Sequence, residues 1–108
     1  MGIYEHEVDI TKNIMKIDYL KSELLSGIAG VFKLMAKGIN SELNSTMADE
    51  LSNIILMCYF LGRRIGIDYE EIDKLIEGKI SLSASQHRGK GLYADDITEF
   101  AGYLKKSE

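Results

Sequence analysis

The segment Ala48-Asp49-Glu50-Leu51-Ser52-Asn53 runs into Ile54-Ile55-Leu56-Met57-Cys58-Tyr59-Phe60-Leu61, and this junction decides the fold. Acidic residues stand ahead of an unbroken apolar run, and Arg63 and Arg64 follow it before Gly66. That is the polarity of a helix, with carboxylates near its positive end and guanidinium groups near its negative end. Ser45 or Thr46 is placed to cap it, which puts Asp49 and Glu50 in its first turns, after a polar connection over Asn40 to Ser45. Apolar on nearly every side, this helix is expected to be the most buried element. Cys58, the only cysteine, lies inside the run and reads as a small buried hydrophobe.

Toward the N-terminus, Ile10, Ile14, Ile17, Leu20, Leu24, Ile28, Val31 and Leu34 recur at spacings of three and four. This is the stripe of an amphipathic helix, continuous or interrupted near Asp18, that should stop at Gly38. Residues 1–9 read as an irregular or extended arm, and residues 10–108 as one domain. Toward the C-terminus, Asp68 with Glu71 forms a capping box for a helix over 69–77 closed by Gly78. Residues 79–91, small, polar and glycine-bearing, read as a loop. A last helix from about Ala94 to Lys105 would present Tyr93, Ile97, Phe100, Ala101 and Leu104 on one face. The fold class expected is all-α, a bundle of four or five helices.

A chain of 108 residues suits a single domain, and 45% apolar with 28% charged residues is ordinary for a globular protein. A net charge of −4 argues against general nucleic-acid binding, which draws on clustered Lys and Arg. One cysteine excludes an internal disulfide and suits the reducing cytoplasm, where the protein is expected. No apolar stretch approaches the roughly 18 residues needed to span a bilayer, so no membrane association is expected. Exposed apolar stripes on so small a bundle lead to the expectation of a homo-oligomer.

Three segments carry a further likeness. Leu34-Met35-Ala36-Lys37-Gly38 ends one helix, Glu50-Leu51 begins the apolar part of the next, and Arg63-Arg64-Ile65-Gly66-Ile67-Asp68-Tyr69-Glu70-Glu71-Ile72 turns into a third. From about Leu20 to Ile80 the chain resembles the MazG-like family of nucleotide pyrophosphohydrolases. The resemblance implies a homodimer or homotetramer of a helical bundle in which one helix carries Glu-Glu-x-x-Glu and the next Glu-x-x-Asp. Carboxylates at such spacing share a helix face, and two facing helices can hold Mg²⁺ against substrate phosphates. The Mg²⁺ neutralises charge as activated water attacks phosphorus. Here the first-helix positions correspond to Ser26, Gly27 and Gly30, and the second-helix pair to Glu50 and Asn53. Only Glu50 keeps its carboxylate, with Glu23 one turn before Gly27.

Candidate ligand-binding residues are therefore Glu23, Glu50, Asn53, Met57 and Arg64, joined by His87, Arg88 and Lys90 from the loop over 83–91. Glu50, Asn53, Met57 and Arg64 fall within roughly 60° around a helix at about 100° per residue. Asn53 can donate and accept hydrogen bonds without a metal. Arg88 and Lys90 suit phosphate oxygens, although the loop lacks Walker A spacing and also reads as a solvated segment. Gly27 and Gly30, costly inside a helix, fit close helix packing or a cavity left by missing side chains. The leading expectation is a non-catalytic MazG-like protein that sequesters or senses a nucleotide or nucleotide-derived signal, with no catalytic residue and no cofactor. A Mg²⁺-dependent nucleoside-triphosphate pyrophosphohydrolase using Glu23 and Glu50 as metal ligands is one alternative, and a helical protein-interaction module is another.

Overall fold

The computed structural model describes residues 3–38, 40–86 and 93–106, with side chains over 10–38, 40–83 and 93–106. Four helices follow in order: α1 (Ile3–Ala36), α2 (Ser41–Arg64), α3 (Tyr69–Gln86) and α4 (Ala94–Lys106). The all-α expectation holds, and no strand occurs among the described residues. Contacts separate the chain into two compact units, Met1–Ile67 and Asp68–Glu108.

The first unit is an antiparallel helical hairpin. Asn13 Nδ2 donates to the Arg64 carbonyl at 2.9 Å, while Gly27 lies against Ile54 and Met57, so opposite ends of α1 and α2 meet. Ile17, Leu20, Leu24, Ile28 and Leu34 are half-buried, and Val31 is buried at 6% exposure. These positions recur every three or four residues and form the side of α1 that packs on α2. Ile10 and Ile14, assigned to the same stripe by periodicity, are exposed. The helix is unbroken at Asp18 and begins at Ile3, so residues 3–9 are helical rather than an irregular arm. No proline intervenes to stop the chain from extending the helix.

α1 stops where the sequence places the stop. Lys37 N–H donates to the Leu34 carbonyl and Gly38 N–H to that of Met35, and Gly38 takes a φ of +112°. α2 then starts earlier than expected. Asn40, extended at φ −151°, accepts from Leu43 N–H at 2.9 Å and is the cap, so Ser45 and Thr46 lie inside the helix. Thr46 instead donates its hydroxyl back to the Glu42 carbonyl. Glu42 occupies the first turn, and Asp49 and Glu50 lie further along.

At its other end α2 closes with a Schellman motif. Ile67 N–H bonds the Gly62 carbonyl at 2.9 Å, Gly66 N–H bonds that of Arg63 at 3.2 Å, and Gly66 adopts a φ of +96°. α2 is not the most deeply buried element: Leu51, Ile55, Leu56 and Phe60 are exposed, and Gly62 is its one buried residue. Cys58 is exposed as well. A helix apolar all round buries one side against a single neighbour and leaves the others open.

In the second unit α3 runs through Gly78 to Gln86, so residues 79–86 are helical rather than a loop. Ile72, Ile76 and Ile80 stand four apart on one face and carry the apolar stripe across Gly78, which keeps a negative φ. Residues 87–91 of the expected loop lie outside the described residues. On α4, Ala94, Ile97, Ala101 and Leu104 are half-buried, while Tyr93 and Phe100, expected on the same face, are exposed.

Candidate functional site

A cleft of about 420 Å³ opens on one flank of the α1–α2 hairpin. From α1 it is lined by Tyr19, Leu20, Glu23, Ser26 and Gly27, and from α2 by Glu50, Asn53, Leu56, Met57 and Phe60. Helical period explains the grouping: Tyr19, Glu23, Ser26 and Gly27 are separated by four, three and one, and Glu50, Asn53, Met57 and Phe60 by three, four and three. Each set faces one side of its own helix, and antiparallel packing turns both sets toward the same side.

Gly27 sets how deep the cleft can be. A Cβ at this position would meet Ile54 Cγ1 at 3.2 Å and Met57 Cε at 3.6 Å, so the helices approach closely there. Gly30 is different, because nothing lies within 4 Å of its absent Cβ. The close contact is thus made by the side chains of α2 against Gly27, and Gly30 takes no part in it. Ser26 and Gly27 leave room where longer side chains would project into the space.

Of the residues expected to form a site, Glu23, Glu50, Asn53 and Met57 line this cleft together. Arg64 does not. It is the last residue of α2, its carbonyl is held by Asn13, and eleven residues separate it from Asn53, a rise of about 16 Å. A shared helical angle therefore does not bring it into this cleft. His87, Arg88 and Lys90 lie outside the described residues. Tyr19, Leu56 and Phe60 escaped the sequence reading, although Tyr19 is one turn before Glu23 and Phe60 two turns after Asn53. Extending the same-face spacing by those turns would have found two aromatic rings.

The lining combines two carboxylates, one amide, one serine hydroxyl and apolar or aromatic groups. Carboxylates accept hydrogen bonds, Asn53 both donates and accepts, and Tyr19, Phe60 and Met57 offer faces for a flat ring. Glu23 and Glu50 are the only acidic side chains in the cleft, and no group of three His, Cys, Asp or Glu gathers among the described residues. Mg²⁺ favours six oxygens in near-octahedral array, and the described lining brings it only the carboxylates of Glu23 and Glu50. This donor set does not fit a magnesium cage.

The second unit has a separate concavity of about 640 Å³, lined by Ile80, Tyr93, Phe100 and Tyr103 with Asp96 and Glu99. The Phe100 and Tyr103 rings there lie 5.6 Å apart at 34°.

No helix among the described residues is long and apolar enough to cross a membrane. The model of the MazG-like family matches residues 10–96, most of the chain, and the chain belongs to that family. No curated protein and no solved structure matches it.

Proposed function

We propose that this member of the MazG-like family binds a nucleotide or nucleotide-derived molecule in the α1–α2 cleft and does not hydrolyse it. The observation that carries this reading is the cleft lining. Glu23, Glu50, Asn53 and Met57 converge from two helices around a space of the size that small ligands occupy, while Ser26, Gly27 and Asn53 supply no carboxylate for a metal. Asn53 is the specificity element, because its amide can read a donor and an acceptor on the same ligand. Met57 supplies an adaptable apolar wall.

Thermal unfolding in EDTA with a panel of nucleotides and nucleosides tests the reading. A ligand that binds only the folded protein adds about 2.7 kcal/mol at a hundredfold excess over its Kd. Stabilisation without divalent cation is the expected result, and Asn53→Ala should weaken it. Pyrophosphate release that needs Mg²⁺ and vanishes in Glu50→Gln would replace this reading with the pyrophosphohydrolase.

A homo-oligomer completes the proposal. On α1, Ile14, Leu25 and Phe32 fall within about 20° of one another, on the side away from the cleft. On α2, Leu51, Cys58 and Ile65 repeat every seven residues on that same flank. Leu25 is 70% and Phe32 65% exposed, whereas Val31 is the only buried large apolar side chain among the described residues. A hairpin with so little interior needs another apolar surface, and a second copy of the same flank supplies one in isologous fashion.

A further inference from the structure

We infer that the cleft takes the base and sugar of its ligand and disfavours a polyphosphate. The inference rests on the binding function proposed above and narrows it. Phosphate oxygens are ordinarily met by Arg or Lys, by a metal ion, or by free N–H groups at a helix N-terminus. None of these is offered by the described residues of the cleft. Among them the lining contains no Lys, Arg or His. It also lies in the middle of both helices: α1 begins at Ile3, well before Tyr19, and α2 at Ser41, nine residues before Glu50. At about 1.5 Å per residue, the N-terminus of α2 is roughly 13 Å from Glu50 along the axis. Backbone N–H groups at mid-helix are already bonded within the helix and cannot turn to a ligand.

What the cleft does offer is suited to a nucleobase. Glu23 and Glu50 accept from amino and imino N–H groups, the same pairing that carboxylates make with the cytosine amino group. Asn53 can satisfy a donor and an acceptor on one base edge. Tyr19 comes from α1 and Phe60 from α2, so aromatic surface flanks the space from both helices. Ser26 supplies a hydroxyl of the kind that pairs with ribose. The ligand class is therefore an amino-bearing nucleoside or free base, with any phosphate directed away from the two carboxylates.

Calorimetric titration of the full-length protein in EDTA, at low and physiological salt, separates the possibilities. The probes are adenosine, guanosine, cytidine and uridine, each beside its 5′-triphosphate. At least one amino-bearing nucleoside should bind about tenfold or more tightly than its triphosphate, and added salt should narrow the gap as screening weakens the repulsion. In Glu23→Gln the ratio should shrink several-fold, since one of the two negative charges is gone. A triphosphate that binds as tightly as its nucleoside, or more tightly, overturns the inference and leaves the binding function standing. Failure of every probe removes both the inference and the function on which it rests. The unsubstituted protein alone supplies the decisive ratio, so the conclusion survives a Glu23→Gln variant that does not fold.

Discussion

Gly27 and Gly30 occupy neighbouring turns of α1 and meet different surroundings. A methyl group at position 30 has nothing within 4 Å, whereas one at position 27 would press on Ile54 at 3.2 Å. Gly30→Ala should therefore stabilise the protein by about 0.8–1 kcal/mol, the intrinsic helix preference of alanine. Gly27→Ala should recover less, or destabilise, because Ile54 must yield. Denaturation midpoints of the two variants decide it, and equal gains would show that the Ile54 contact is not tight. The residues at the chain reversals behave in the opposite sense. With φ at +96°, Gly66 holds a conformation that costs an L-residue about 1–2 kcal/mol, and Gly66→Ala should lose that much stability. Among the candidate site residues, Glu23 and Glu50 could be chosen because the family resemblance points to them, and Asn53 and Met57 because helical period groups them with Glu50. Arg64 could not be rejected that way, since an angle around a helix says nothing about distance along it.

Elements start and stop for local reasons that were only partly legible. Gly38 and Gly66 end their helices as expected, both with positive φ. Gly78 does not, because Ile72, Ile76 and Ile80 continue the apolar face across it and α3 gains more by extending than by turning. An alanine at position 78 has open space around its Cβ, so Gly78→Ala should stabilise the α3–α4 unit by about 0.8–1 kcal/mol in chemical denaturation. At the start of α2 the expected caps, Ser45 and Thr46, lie inside the helix. Asn40 wins by accepting from Leu43 N–H, and Asn40→Ala should cost about 1 kcal/mol while Ser45→Ala costs little. A comparable loss in Ser45→Ala would move the helix start. The exposed ion pairs Asp18–Lys21 and Glu70–Lys74 decorate helix surfaces and are not what holds these elements.

The whole molecule poses a question of burial. Each hairpin packs one side of each helix, and large side chains such as Leu25, Phe32, Ile55 and Ile65 stay more than half exposed. Light scattering of the purified protein should give a mass of two or more chains. Replacing Leu25 and Ile55 together by Glu should reduce the mass or unfold the protein. Reaction of Cys58 with a thiol reagent provides a second measurement, slow in the native assembly and fast in the variant, because Cys58 lies on the same flank. A monomeric mass at micromolar concentration for the unsubstituted protein would reject the proposed oligomer.

Helix class, the α1 and α2 stop signals and the face shared by Glu50, Asn53 and Met57 all follow from spacing along the chain, because helix geometry repeats every 3.6 residues whatever surrounds it. Depth and company do not follow from spacing. That α2 is exposed on its far flank, that Cys58 is open to solvent, that Gly27 touches Ile54 while Gly30 touches nothing, and that Tyr19 and Phe60 frame the cleft depend on which side of one helix meets another. Such choices are made by side chains distant in sequence competing to be covered, and no local pattern records the outcome.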